Sequence, residues 1–283
     1  MPIPSLRWFC ERGESVSRVG LTEKLGAIVR RDVLTTVRYR NGFLLGAIGV
    51  FTEMLAFFYL SRAVGPAFRP EGVDFFAFLV VGSGFYTFLI TGVQAFLSTV
   101  QEAQQTGTLE VLLTTATPAP TLIFLSAFSA FAGKLTNLIL FFGVGFFLFR
   151  APALHPNLAG MSIVFLLSLA MALTLGVFAA TLQIAVQRGS VVIWLLGGVW
   201  FLTGTLFPVG TLPALLQWVA WCIPITHALN GMRGALLQGQ STAALLPDIE
   251  WLGVAVLLLA PASLGAFSWI VRRGRREGTL SAY

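Results

Sequence analysis

Residues 75–100 read FFAFLVVGSGFYTFLITGVQAFLSTV and carry no charged side chain. At about 1.5 Å per residue, a helix of this length crosses a hydrocarbon core of ~30 Å. The run shows no period-two alternation and is far longer than a barrel strand needs, so a lipid-solvated helix is the structure it specifies. Runs of the same kind occupy Phe43 to Leu60, Thr121 to Phe149, Met161 to Val186, Val191 to Phe207 and Trp251 to Val271. The fifth is short for a crossing and the third is longer than it needs to be. Together they predict an all-α membrane protein with six transmembrane helices.

Composition agrees. The chain has 283 residues, of which 56% are hydrophobic and 11% charged, where a soluble domain carries roughly 25% charge. That excludes a water-soluble globule, because too few polar side chains exist to cover its surface. Cys10 and Cys222 stand far apart and offer neither a disulfide framework nor zinc spacing. The two histidines, His155 and His227, make no metal constellation, and no Ser-His-Asp or paired-carboxylate arrangement stands out. The net charge of +6 collects at the chain ends, which fits membrane topology better than nucleic-acid binding.

An even number of spans puts both termini on one side. Arg7, Arg12, Arg18, Lys24, Arg30, Arg31, Arg38 and Arg40 precede the first span, Arg188 lies in the fourth connection, and Arg272, Arg273, Arg275 and Arg276 follow the last. The other side holds Arg62, Arg69, Arg150 and Arg233. The positive-inside rule then predicts cytoplasmic termini. Residues 1–41 form a cytoplasmic N-terminal segment without the apolar core of a secretory signal. Within it Leu21, Leu25, Ile28, Val29, Val33 and Val37 recur at helical spacing opposite most of the charges, which predicts an interfacial amphipathic helix ending at an Asn41–Gly42 break. The membrane domain covers 42–271, and 272–283 is a basic cytoplasmic tail.

Two connections do more than join spans. Gln101 to Pro118, QEAQQTGTLEVLLTTATP, contains no Lys or Arg although it is predicted cytoplasmic. Thr108 is placed to cap a short helix that Pro118 stops, with Leu109, Leu112 and Leu113 apolar and Glu102 and Glu110 acidic. A plain surface loop and an interaction surface both fit these residues. The stretch from Phe207 to Glu250 holds two apolar pieces too short to cross. Thr211, Leu212 and Pro213 start the first, Pro224 ends it, and the second runs from Ile225 to about Gln238 with Gly239 as its C-terminal cap. Their lengths suit re-entrant or external helices.

The same two segments carry a resemblance. GTLE at 107–110, followed by Leu112, Leu113 and Pro118, is similar to the cytoplasmic coupling motif between the second and third spans of ABC type-2 (ABC-2) exporter permeases. FPVGTLPALLQWVAWCIPITHALNGMRGALLQG, from Phe207 to Gly239, resembles that family's segment before its last span. Span number, motif order and spacing extend the likeness from about Leu21 onward; the Gln-rich run Gln101 to Gln105 departs from it, where relatives often carry more charge. The resemblance implies a half-transporter in the inner membrane, paired as a homodimer or with a second permease and seated on separate ABC ATPase subunits that bind ATP and Mg. It implies a coupling surface of Glu102, Gly107, Thr108, Leu109, Glu110 and Leu113, and an external segment marked by Phe207, Pro208, Pro213, Pro224, His227 and Arg233. The residues agree in one respect: no G-x-x-x-x-G-K-[ST] run occurs, so this chain is not expected to bind a nucleotide cofactor or to be catalytic.

Ionisable groups inside spans are costly and mark function by default. Glu53 and Lys134 are the two cases, as a pair, as separate structural groups or as substrate contacts. Gln94, Asn137 and Gln183 read as amides that glue helices together, Phe141, Phe142, Phe146 and Phe147 as lipid-facing bulk, and Gly82, Gly84, Gly143, Gly145, Gly197 and Gly198 as close-packing points. His227 is assigned a capping or hydrogen-bonding role, and Arg233 a lipid phosphate or polar substrate head. An ion-coupled secondary transporter using Glu53 and a membrane-embedded lipid-modifying enzyme are the competing classes; scarce acids and histidines count against the second. If Glu53 and Lys134 pair, the double variant Glu53→Gln/Lys134→Met is expressed and active at a level above the worse single variant. A double variant no better than that single removes the pair.

Overall fold

The computed structural model describes residues 40–105, 128, 131, 135, 137–149, 156–186 and 197–277. Helix α1 is Arg40–Val64, α2 is Phe75–Gln105, α3 is Asn137–Leu148, and α4 is Leu158–Val186. A helical piece at 197–202 follows. Then come α5 at Ala214–Cys222, α6 at Pro224–Leu236 and α7 at Leu246–Glu277. Single 3-10 turns at Pro70–Gly72 and Val209–Thr211 complete the list, and no strand occurs among the described residues. The protein is an all-α membrane protein. Four of these helices, α1, α2, α4 and α7, are long and apolar enough to cross. The third and fifth runs fall only partly within the described residues, and the interfacial helix predicted over 21–40, apart from Arg40, and the core of the coupling motif, 106–118, lie outside them.

Several helix ends move from where the sequence put them. The first span starts at Arg40 and runs through Asn41 and Gly42, so these residues are no break. Their low helix propensity costs about 1 kcal/mol or less each, too little to stop a helix continued by an apolar run. The second span does not end at Val100: α2 has 31 residues, about 46 Å of helix against a core of ~30 Å. Gln101 to Gln105 therefore extend the span and are not loop. The last helix likewise takes in Asp248 before the apolar run and reaches Glu277 beyond it, with Pro261 inside. Asp74 fixes the start of α2, its Oδ1 accepting the backbone N–H of Phe76 at 2.9 Å and of Ala77 at 3.3 Å.

Helix α2 is the hub. It packs on α4 along its length, on α6 at one end and on α1, while α7 closes the other side of α4. Towards the α6 end Phe75, Phe76, Phe78, Leu79 and Val80 cluster with Met54 and Phe57 of α1 and with Phe141. Towards the other end Phe96, Val100 and Ala103 meet Val177, Ala180 and Ile184 of α4 and Phe267 and Val271 of α7. Phe141 is thus core and not lipid-facing bulk, and Phe142 and Phe146 lean on the same cores. Phe147, 87% exposed, keeps the lipid-facing reading.

The predicted close-packing glycines divide in two. A Cβ on Gly84 would stand 2.6 Å from the Phe141 ring, and one on Gly145 would stand 2.8 Å from Val80. Nothing lies within 4 Å of Gly143, Gly197 or Gly198. Gly84→Ala therefore lowers the thermal midpoint of the detergent-solubilised protein, by the equivalent of about 1–3 kcal/mol of overpacking. Gly143→Ala leaves it unchanged or raises it through helix propensity, by up to about 1 kcal/mol. Equal shifts in the two variants would contradict the packing assigned to Gly84.

Candidate functional site

From Phe75 to Leu97, every residue of α2 is buried except Thr87, Thr91 and Gln94. The exposed line continues through Ser98, Gln101 and Gln105, so that the spacing alternates four and three residues. All six side chains are polar, and up to Leu97 the other faces of the helix are largely apolar and covered. A seven-residue period falls short of two full helical turns, and a stripe of that period lies along a neighbouring helix crossed at a shallow angle. Two hydroxyls of the stripe are satisfied within α2: Thr91 Oγ1 donates to Thr87 O at 2.7 Å and Ser98 Oγ to Ala95 O at 3.1 Å. Gln94 has no partner among the described residues. A bare amide in hydrocarbon costs about 2–7 kcal/mol, so this face is built for water or for another protein surface.

Glu53 stands beside the stripe. It lines a cavity of about 160 Å³ together with Thr87, Thr91, Asn137 and the rings of Phe88 and Phe141. Asn137 therefore faces this cavity and is no helix glue among the described residues. Gln183 does act as glue, its Nε2 donating to Gln104 Oε1 at 3.2 Å between α4 and α2. Lys134, the proposed partner of Glu53, lies outside the described residues. So do Gly107, Thr108, Leu109, Glu110 and Leu113 of the coupling motif. Glu102 is the one member within them, exposed on the last turn of α2.

The segment before α7 folds as a helical pair held from both sides. The first helix starts at Ala214, just after the Thr211, Leu212 and Pro213 that the sequence marked as its start, and Thr211 belongs to the preceding turn. Its Oγ1 donates back to Pro208 O at 2.8 Å inside the 3-10 turn, and Pro213 takes the N-cap position of α5. Pro224 opens α6 without a missing hydrogen bond, as a proline in the first turn can. Gly239, at φ +61°, takes the left-handed conformation that lets Gln240 N–H reach Gly234 O at 3.0 Å and close the helix end. Phe207 stacks on Phe75 at 6.1 Å.

Arg233 does not reach lipid. It is 2% exposed, pointing inward from α6 to α2. Its Nη2 donates to Thr205 O at 2.9 Å and more weakly to Phe78 O at 3.4 Å, and its guanidinium lies 3.5 Å over the Phe78 ring. Gly82 makes the room, because a Cβ there would overlap the guanidinium and stand 2.6 Å from Thr205 O. Burial pushes the Arg233 guanidinium down to about 10, and Glu71 opposes this through space without an ion pair among the described residues. Its unusual backbone, φ 55°, turns its carbonyl to accept from Gln238 Nε2 at 3.0 Å. The sequence reading missed this pocket, since only proximity reveals that Gly82 and Arg233 belong together.

His227 fulfils its hydrogen-bonding role with a partner that the sequence did not suggest. Its Nδ1 is 2.7 Å from Asp248 Oδ1 and its Nε2 is 3.0 Å from Trp221 O. Both ring nitrogens are thus engaged by oxygen atoms, one on a side chain and one on the backbone. It stacks on Trp251 at 5.2 Å, and Asn230 Nδ2 donates to Asp248 Oδ2 at 2.7 Å. Asp248 lies on the first turn of α7, so this pair ties α6 to the last span.

Several helices long and apolar enough to cross, one of them with a single polar face, and a helical pair before the last, of which α6 is buried, define a multi-pass membrane protein. A family model for the ABC-2 type transporter matches residues 23–237. The chain belongs to that family and is a multi-pass permease component of an ABC transporter, not itself a catalytic subunit. No curated protein matches it.

Because the buried His227 would lose its side-chain partner and Asn230 its acceptor, Asp248→Ala is expected to destabilise the protein by about 1–3 kcal/mol. Adding His227→Leu recovers part of that loss in a thermal unfolding assay. A double variant that loses the sum of both single effects would show that the two residues do not interact.

Proposed function

We propose that this chain is the membrane half of an ATP-driven exporter that moves an amphipathic, lipid-linked or drug-like molecule. The observation that carries the reading is the polar stripe of α2 with Glu53 and Asn137 beside it. A transporter needs one wetted face per subunit, and two such faces opposed across a seam make a path. We infer a homodimer, or a pair with a second permease, in the inner membrane with six spans and both termini in the cytoplasm. ATP and Mg belong to separate ATPase subunits, consistent with the absence of a phosphate-binding loop motif from the sequence.

In this reading α2 is the lever. Its length beyond the bilayer core carries Gln101 to Gln105 out of the membrane towards the GTLE segment. Gly107, Thr108, Leu109, Glu110 and Leu113, with Glu102, would sit on the ATPase, and its opening and closing would turn α2 as a rigid body. The Glu53 cavity favours a second reading, an ion-coupled carrier with Glu53 as its proton site. Co-purification separates the two, since a carrier needs no ATPase.

Two outcomes test the exporter reading. Single cysteines replacing Thr87, Gln94 or Ser98 react with a membrane-impermeant maleimide or cross-link to a second copy, while cysteines replacing Val93 or Phe96 do neither. Glu110→Arg and Leu109→Asp leave the chain in the membrane and reduce stimulation of the ATPase by the permease to its basal level. Unchanged stimulation in both variants removes the coupling assignment.

A further inference from the structure

A second cavity, of about 440 Å³, opens at the membrane interface where α1 ends and α2 begins. That volume is in the range of small-molecule sites, and neither the polar stripe nor the α6 ties use it. One wall is made of Phe58, Phe76 and Phe149, whose rings pack at 5.5 to 6.0 Å from one another. Phe68 and Phe75, edge to face at 4.9 Å, form another. Two opposite charges line the same space. Arg62, exposed on the last turn of α1, lies 4.8 Å over the Phe58 ring. Asp74 is spent only in part: Oδ1 caps α2, and Oδ2 has no partner among the described residues. The two residues line one cavity yet form no ion pair with each other among the described residues.

We propose that this cavity binds the zwitterionic head of a phospholipid that carries a phosphate and an ammonium group. The guanidinium of Arg62 takes the phosphate in charge-assisted hydrogen bonds. The ammonium lies against Asp74 Oδ2 and the faces of the surrounding rings. The phenylalanines cover the glycerol and the first methylenes. Three features of the site fit this occupant. The cavity lies at the end of one apolar span and the start of the next, the depth at which phosphates sit. Five phenylalanines stand beside the two charges in the wall, which suits a head joined to a tail and not a free ion. The carboxylate would repel a purely anionic head, whereas a head of both signs satisfies both residues. The site is independent of the export reading, because it asks only that the chain be in a membrane.

The test uses the permease complex purified in dodecyl maltoside, with bound short-chain lipid counted by native mass spectrometry. The probes are didecanoyl phosphatidylethanolamine, didecanoyl phosphatidylglycerol and inorganic phosphate. Wild type is expected to retain phosphatidylethanolamine in preference to phosphatidylglycerol and to ignore inorganic phosphate. Arg62→Ala weakens phosphatidylethanolamine binding roughly tenfold, the factor expected for one charge-assisted contact. Arg69→Ala, an exposed arginine on the same connection outside the cavity, leaves binding unchanged. Asp74→Asn keeps the helix cap but removes the charge, and erases the preference for phosphatidylethanolamine. Equal retention by wild type and Arg62→Ala, equal loss in Arg69→Ala, or phosphate competing as well as lipid would each overturn the site.

Discussion

Helices in lipid are not driven together by the hydrophobic effect, because tails are as apolar as leucine; close contact and polar ties must hold them. Helix α2 meets that constraint with notches. Phe141, Phe131 and Arg233 each enter where a glycine leaves the backbone bare, at Gly84, Gly92 and Gly82. The notches let rings and a guanidinium approach the α2 axis more closely than any larger residue would permit. The dispersion gained there accounts for a span covered on every side but one. The remaining side stands out as polar because the rest is so fully used.

The two ties at α6 differ in kind. Arg233 is a buried charge without a contacting carboxylate, held by backbone carbonyls and a ring, and its Nε has no partner among the described residues. Such a group survives only where the dipoles around it are fixed. Gly204, at φ +74°, and the hydrogen-bonded hydroxyls of Thr203 and Thr205, 2.9 Å apart, fix the carbonyl of Thr205. His227 and Asp248, by contrast, are joined by a short hydrogen bond, with both ring nitrogens and both carboxylate oxygens engaged. The first tie fastens α6 to the second span and the second fastens it to the last. Asn157 adds a third, its side chain reaching Gln240 O at 2.8 Å and Thr242 Oγ1 at 3.2 Å while its backbone N–H donates to Ala235 O.

The sequence disclosed whatever repeats along the chain and concealed whatever depends on two distant positions. Apolar runs gave the helices, and Pro213, Pro224 and Gly239 marked the ends of the short pair, because proline and glycine act on their own backbone. Helix ends were misjudged at Asn41 and Gln101, where weak breakers and polar residues read as loop although the helix simply leaves the bilayer. The polar stripe was legible in principle. Thr87, Thr91, Gln94 and Ser98 recur with a seven-residue period, but inside a run without charge the apolar majority dominates the reading. Gly82 with Arg233 and His227 with Asp248 were not legible, since nothing local to either residue points to the other.

These ties limit how such a protein can move. Helices α2, α6 and α7 are joined by buried polar contacts that cannot be broken in lipid without stranding a donor or a charge, at several kcal/mol each. They must travel as one body with α4, which packs between α2 and α7. Helix α1 has no such tie among the described residues. It touches α2 and the end of α3 through Met54 and Phe57 and presents Leu44, Leu45, Ile48 and Tyr59 outward. Sliding apolar side chains past one another strands nothing, so the compliant joint is the one between α1 and α2. Glu53 and its cavity sit at that joint, and any change in its width changes how much water reaches the carboxylate.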